Sequence, residues 1–263
     1  MRQGVFVVMK KIFLVLVLMA GLCGAYPVYG HEIAIKPGEC AAQAGKAVPF
    51  GVHSAHVFIQ SEELEPPADV KAFVVTDGKP VEVKLTPDAK TFVFNGVATF
   101  AKPGAGLILV HRLPQVWSLT PEGMKKGTKK ELPGATKSFI YEKFAKAVVP
   151  VGGSDAGFDA VDGQKLELVP LTDPGKAKVG QDVDVKVLYQ GKPTPAVVLA
   201  TYDGFAKTPN TYAFYTETGD DGIAKVRITH PGLWMVRTEI KGPSADTSVD
   251  QEALRSTLTF CVK

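Results

Sequence analysis

Five histidines are spread unevenly along the 263-residue chain: His31, His53, His56 and His111 lie in its first half, and His230 lies alone in the second. Imidazole ligates transition metals and titrates near neutral pH, so these residues are the first place to look for chemistry. His31 has an added opportunity. Val28 and Gly30 precede it as the small residues a signal peptidase reads, so cleavage after Gly30 would put a free α-amino group and an imidazole on one residue. Two neighbouring nitrogens of this kind chelate nickel, cobalt or copper well, and the metal displaces the proton of an amine whose ordinary pKa is about 8.

Two ligands rarely suffice, so others must converge. His53 and His56 are three residues apart in Val52-His53-Ser54-Ala55-His56-Val57-Phe58. On a helix they would share a face; on a strand the odd spacing sends them to opposite sides, and only one could join His31. His111 ends the apolar run Leu107-Ile108-Leu109-Val110-His111, and a strand end is a good place to present a ligand. The four first-half histidines, His31, His53, His56 and His111, are therefore the candidate metal ligands. Against each stands the plainer role of a hydrogen-bonded structural group, and His230, between Thr229 and Pro231, is read that way. Glu62, Glu63, Glu65 and Asp69 follow His56 closely and could add oxygen ligands, although such a run is ordinarily a solvated loop. Lys125-Lys126-Gly127-Thr128-Lys129-Lys130 reads as a solvated loop too short for nucleic acid.

Other chemistries lack their signatures. Gly152-Gly153-Ser154-Asp155-Ala156 breaks G-x-S-x-G at its last position, and no P-loop or strand-linked G-x-G-x-x-G occurs. His31-Glu32 starts like a zincin motif, but residue 35 is isoleucine. No catalysis is expected.

The elements that must hold these residues begin after a secretory signal over residues 1–30, with Arg2, Lys10 and Lys11 ahead of an apolar run from Ile12 to about Cys23. That run is about a dozen residues, short of the roughly 20 needed to span a bilayer. Three of the 30 Lys and Arg lie in this segment and none of the 27 Asp and Glu, so the mature chain is formally neutral. No steering toward nucleic acid or anionic lipid follows. A periplasmic protein without a transmembrane segment is expected. Two cysteines survive cleavage, Cys40 and Cys261, and an oxidising compartment favours a disulfide joining the chain ends.

Short runs rich in Val, Ile, Phe and Tyr, such as Val70–Val75, Leu107–His111, Leu166–Pro170, Val183–Leu188, Val197–Tyr202 and Trp234–Ile240, predict strands. Asp77-Gly78, Asp173-Pro174-Gly175, Gly191-Lys192-Pro193 and Asp221-Gly222 mark turns between them. The pattern predicts an all-β fold of two tandem antiparallel β-sandwiches of immunoglobulin or transthyretin type, residues 31–152 and 163–263. Phe139, Ile140, Phe144 and Val148 suggest one short helical segment over Pro133–Ala147, before a small-residue connector near 150–163.

Several phrases are familiar together: His31-Glu32-Ile33 with Lys36-Pro37-Gly38, His56-Val57-Phe58, Trp117-Ser118-Leu119-Thr120-Pro121-Glu122-Gly123 and Phe144-Ala145-Lys146-Ala147-Val148. The second half adds Leu166-Glu167-Leu168-Val169-Pro170-Leu171-Thr172-Asp173-Pro174, Gly180-Gln181-Asp182-Val183 and Pro231-Gly232-Leu233-Trp234. Over nearly the whole mature chain the sequence resembles the NikK-like periplasmic domain-of-unknown-function family associated with nickel and cobalt uptake. The resemblance implies two β-sandwiches, an exposed N-terminal histidine at His31, with His56 as a second position, and a membrane metal-uptake transporter as partner. Nickel or cobalt is the expected ion, with copper or zinc as alternatives. The leading expectation is a binding protein that captures the ion and presents it for uptake. A structural module that binds protein or glycan, with incidental histidines, is the alternative, and a copper oxidase with an N-terminal histidine brace is a third.

Overall fold

The described residues of the computed structural model are 30–153 and 156–263; residues 1–29, on which the signal-peptide expectation rests, and Ser154 and Asp155 of the expected connector lie outside them. The first half contributes β1 (Glu32–Pro37), β2 (Ala47–Ala55), β3 (Val70–Thr76), β4 (Lys79–Val83), β5 (Thr86–Asp88), β6 (Val93–Thr99), β7 (Gly104–Thr120), β8 (Gly123–Lys126) and β9 (Lys137–Val151). The second contributes β10 (Leu166–Pro170), β11 (Asp182–Tyr189), β12 (Lys192–Pro193), β13 (Val197–Tyr202), β14 (Phe214–Glu217), β15 (Ile223–Arg227), β16 (Gly232–Pro243) and β17 (Gln251–Val262). The fold is all-β, as the alternating patterns predict.

These strands build three sheets. A nine-stranded sheet runs β14-β13-β16-β17-β9-β7-β3-β4, with β8 also paired to β7. The order β1-β2-β6-β5 makes a second sheet, and β10-β11-β12, with β15 on β11, makes a third. The pairings are antiparallel apart from β17 on β9, which is parallel.

The period of two along β7 and β9 explains how one large sheet serves two cores. Leu107, Phe144 and Val148 face a core with Leu168, Val185 and Trp234. Their neighbours Ile108, Val110, Ala145 and Ala147 face the other way, into a core with Ile33, Ile35 and Phe50. The central segments Leu107–Val110 of β7 and Glu142–Val149 of β9 are thus buried on both faces, and each fully buried aliphatic or aromatic side chain contributes about 1.5–3 kcal/mol. A one-residue slip would exchange the two sets, so the register is strongly specified. The boundary expected near 150–163 falls just after β9, yet the cores on either side of it share one sheet, and residues 31–263 form one compact unit.

The helical segment expected over Pro133–Ala147 is not helical: Lys137–Val151 is the strand β9. Phe139, Ile140, Phe144 and Val148 do show helical spacing, but the run from Glu142 to Val149 is buried on both faces. A strand with a core packed on each of its faces needs no alternation, and its sequence then mimics a helix.

The expected disulfide is present, joining Cys40 after β1 to Cys261 in β17 with Cα atoms 5.4 Å apart. Among the described residues no helix is long and apolar enough to cross a membrane.

Candidate metal centre

β1 is the edge strand of its sheet, and an edge leaves backbone groups unpaired. Here side chains of β17 fill that need. Arg255 Nη1 donates to the carbonyl of His31 at 3.4 Å, Thr257 Oγ1 to that of Ile33 at 2.6 Å, and Thr259 Oγ1 to that of Ile35 at 2.8 Å. Glu32 adds ion pairs to Arg237 at 2.9 Å and Arg255 at 3.6 Å. The strand that follows His31 is therefore fixed residue by residue.

On its other edge β1 pairs with β2, Glu32 opposite Ala55. Continuing that antiparallel register by one residue sets His31 opposite His56, just beyond the ladder. Their ring centroids are 4.0 Å apart, tilted by 45°. The chain then turns back, with Gln60 N–H bonded to the Val57 carbonyl and Glu62 N–H to the Ser54 carbonyl, both at 2.9 Å. This return brings two carboxylates to the histidines. Glu62 Oε2 lies 2.8 Å from His56 Nδ1 and 3.5 Å from His31 Nε2, while Glu63 Oε2 lies 2.8 Å from His31 Nδ1. One ligand atom from each of His31, His56 and Glu62 falls within 4.8 Å of the others, a group able to hold a metal ion.

The electrostatics favour ligation. Burial, followed by the neighbouring His56 charge, pushes the His31 imidazole below its ordinary value; Lys143 acts in the same direction, and Glu63 and Glu62 oppose. A neutral ring is the form that donates to a metal. Burial works to raise the Glu62 carboxyl, but the hydrogen bond and charge of His56, aided by His31, outweigh it and hold the group below the usual carboxylate range. Two imidazoles with carboxylate oxygens suit a divalent transition ion, and the α-amino group of a chain starting at His31 would complete a nitrogen-rich set.

The other expected candidates lie elsewhere. His53 is within β2, opposite Ala34 and Val93, with its Nδ1 buried and without a hydrogen-bond partner. Burial, with the Lys36 charge second, lowers its pKa to about 4. His111 projects from β7 toward the opposite face of the large sheet, stacked on Phe144 at 4.9 Å and paired with Glu142 at 2.6 Å. His230 stacks on Tyr202 with centroids 4.4 Å apart. Glu65 is buried against Lys143 at 2.8 Å and Arg112 at 3.8 Å, and Asp69 accepts from Gln115. Glu62 and Glu63, which the sequence places in a run that is ordinarily a solvated loop, are the carboxylates that reach the histidines. Their adjacency to His56 in sequence was the available signal.

Fold and site together define an all-β protein of packed sheets with a histidine–carboxylate cluster where its first strand begins. Residues 28–242 match the domain of unknown function DUF4198, and the chain belongs to that family. No curated protein matches the chain. Among solved structures, the D0–D1 domain of intimin is 14% identical over 89% of this chain and 100% of its own, with a TM-score of 0.23. The Yersinia pseudotuberculosis adhesin InvE is 12% identical over 88% of this chain and 58% of its own, at 0.22. A DUF4785 family protein from Legionella pneumophila is 12% identical over 78% and 50%, at 0.27. At such scores these likenesses carry no inference about function.

Proposed function

We propose that this protein captures a divalent transition metal ion, nickel or cobalt, outside the cytoplasmic membrane and presents it to a membrane uptake transporter, without catalysis. The observation that carries the reading is the convergence of His31, His56 and Glu62 within 4.8 Å at the start of β1. In this reading, signal cleavage after Gly30 frees the His31 amine, so that one residue supplies two nitrogens. His56 supplies a third, and Glu62, with Glu63 beside it, supplies oxygen. The motif resemblance to nickel- and cobalt-associated periplasmic proteins supports the choice of ion, and the mixed nitrogen and oxygen donors accord with it. The site is at the surface, with His31 and His56 side chains 22% and 18% exposed, which suits an ion that must be handed on.

Nickel titration calorimetry on the exported protein tests this. His56→Ala and Glu62→Gln should each weaken binding by more than the roughly tenfold that losing a supporting contact costs. His111→Ala should leave it unchanged. Equal affinity in all four proteins would overturn the assignment.

A further inference from the structure

A second cluster of titratable groups lies away from the His31–His56 pair, on the other face of the large sheet. Lys146, in the middle of β9, is buried, and its Nζ lies 2.6 Å from Glu167 Oε1, 2.8 Å from Asp162 Oδ2 and 3.0 Å from the Ala160 carbonyl. The three side chains are 1%, 1% and 5% exposed for Lys146, Glu167 and Asp162. Glu167, on β10, is well satisfied, because it also accepts the backbone N–H groups of Asp162 at 2.8 Å and Gly163 at 3.1 Å. Asp162 is not. Its Oδ2 is buried without a partner in hydrogen-bonding geometry, despite its closeness to the amine.

One ammonium between two buried carboxylates leaves a negative charge uncompensated, and that is costly out of water. Burial pushes the Asp162 carboxyl up; the Lys146 charge opposes this and the Glu167 charge adds to it. The net direction is upward, so this carboxyl takes up a proton more readily than a free one. A neutral carboxylic acid held against a lysine nitrogen, with a second carboxylate to take up a proton, is the set of groups that amide formation needs. Holding the partners in contact replaces a collision in solution, an advantage that in well-oriented systems corresponds to effective molarities of about 10⁵–10⁸ M. Exclusion of water also protects the product from hydrolysis.

We propose that Lys146 and Asp162 condense into an intramolecular side-chain amide, with Glu167 as the proton carrier. Glu167 takes a proton from the Lys146 ammonium. The free amine adds to Cγ of the protonated Asp162 carboxyl; Glu167 passes its proton to the departing hydroxyl and then takes the second proton that the nitrogen sheds, so that a neutral amide, one water and a protonated Glu167 result. One N–C bond forms, one C–O bond breaks and one water leaves, so no oxidant, cofactor or second substrate is required. The Ala160 carbonyl, already on Nζ, accepts the remaining amide N–H. The bond would fasten β9 to the segment that leads into β10.

Intact mass spectrometry of the reduced, exported protein tests this, with fragmentation of a proteolytic digest. The expected result is a mass lower than the sequence by one water, together with a branched peptide joining Lys146 to Asp162. Lys146→Arg, Asp162→Ala and Glu167→Gln should each restore the full mass. Because the wild-type measurement decides alone, a variant that folds poorly does not blunt the test. A wild-type chain at its full sequence mass would overturn the proposal and leave an ordinary ion-pair cluster. So would a water loss that yields no branched peptide and persists in Lys146→Arg, as a succinimide at Asp162-Gly163 would.

Discussion

Thr257 on β17 donates a 2.6 Å hydrogen bond to the carbonyl of Ile33 on β1, and the same offset of 224 residues recurs from Thr259 to Ile35 and from Arg255 to His31. A repeated offset means that β17 reads the register of the first strand. The position of His31, and with it any ligand it supplies, is set from the far end of the chain.

Thr257→Val keeps the shape of that contact and removes the donor. The buried Ile33 carbonyl then loses its side-chain partner, at a cost of about 1–3 kcal/mol. Urea unfolding should show the loss, and the nickel affinity of the exported protein should fall with it, because His31 is two residues away.

The disulfide acts on the same pair of elements. Cys40 and Cys261 are 221 residues apart, and closing so long a loop is worth about 5 kcal/mol in the chain-entropy description. Cys40→Ser with Cys261→Ser should lower the urea midpoint markedly, whereas adding reductant to the double variant should change nothing further.

Acid should weaken the fold through His53. Its pKa is 6.5 when exposed and about 4 when folded, so between these values the unfolded chain binds a proton that the folded chain does not. Stability contributed by the neutral ring is present above pH 6.5 and is lost as pH falls toward 4, by up to about 3 kcal/mol. His53→Leu should flatten the stability profile across this window, as measured by urea unfolding at a series of pH values.

Removing the buried carboxylate near the histidines should be severe. Glu65 is in contact with both Lys143 and Arg112, whose side chains are 9% and 2% exposed, and Glu65→Gln would leave both cations without it. A loss of about 3–5 kcal/mol is expected in urea unfolding.

Much of this molecule is written locally. Val70–Val75 and Val183–Leu188 lie within or match β3 and β11, because half-buried strands alternate and their turns carry Gly, Pro and Asp. Other features depend on distant partners. β9 resembles a helix in sequence because neighbours on both sides, unknown from local pattern, bury both its faces. β17 is not among the strands the sequence predicts, although Leu254, Ser256, Leu258 and Phe260 alternate with Thr257 and Thr259. At the site, histidine type and spacing made His31 and His56 candidates, but not their meeting. That requires the β1–β2 register, in which Glu32 faces Ala55. His111 was an equally fair candidate by sequence, and strand parity alone sends it to the other face.

The most direct test of metal capture compares two forms of the mature protein, one beginning at His31 and one carrying a single additional residue before it, by nickel titration calorimetry. Tight binding by the first and a large loss in the second are expected, since the extension converts the amine of His31 into an amide while leaving both imidazoles and Glu62 in place. Equal affinity in the two forms would contradict the proposed amine–imidazole chelate.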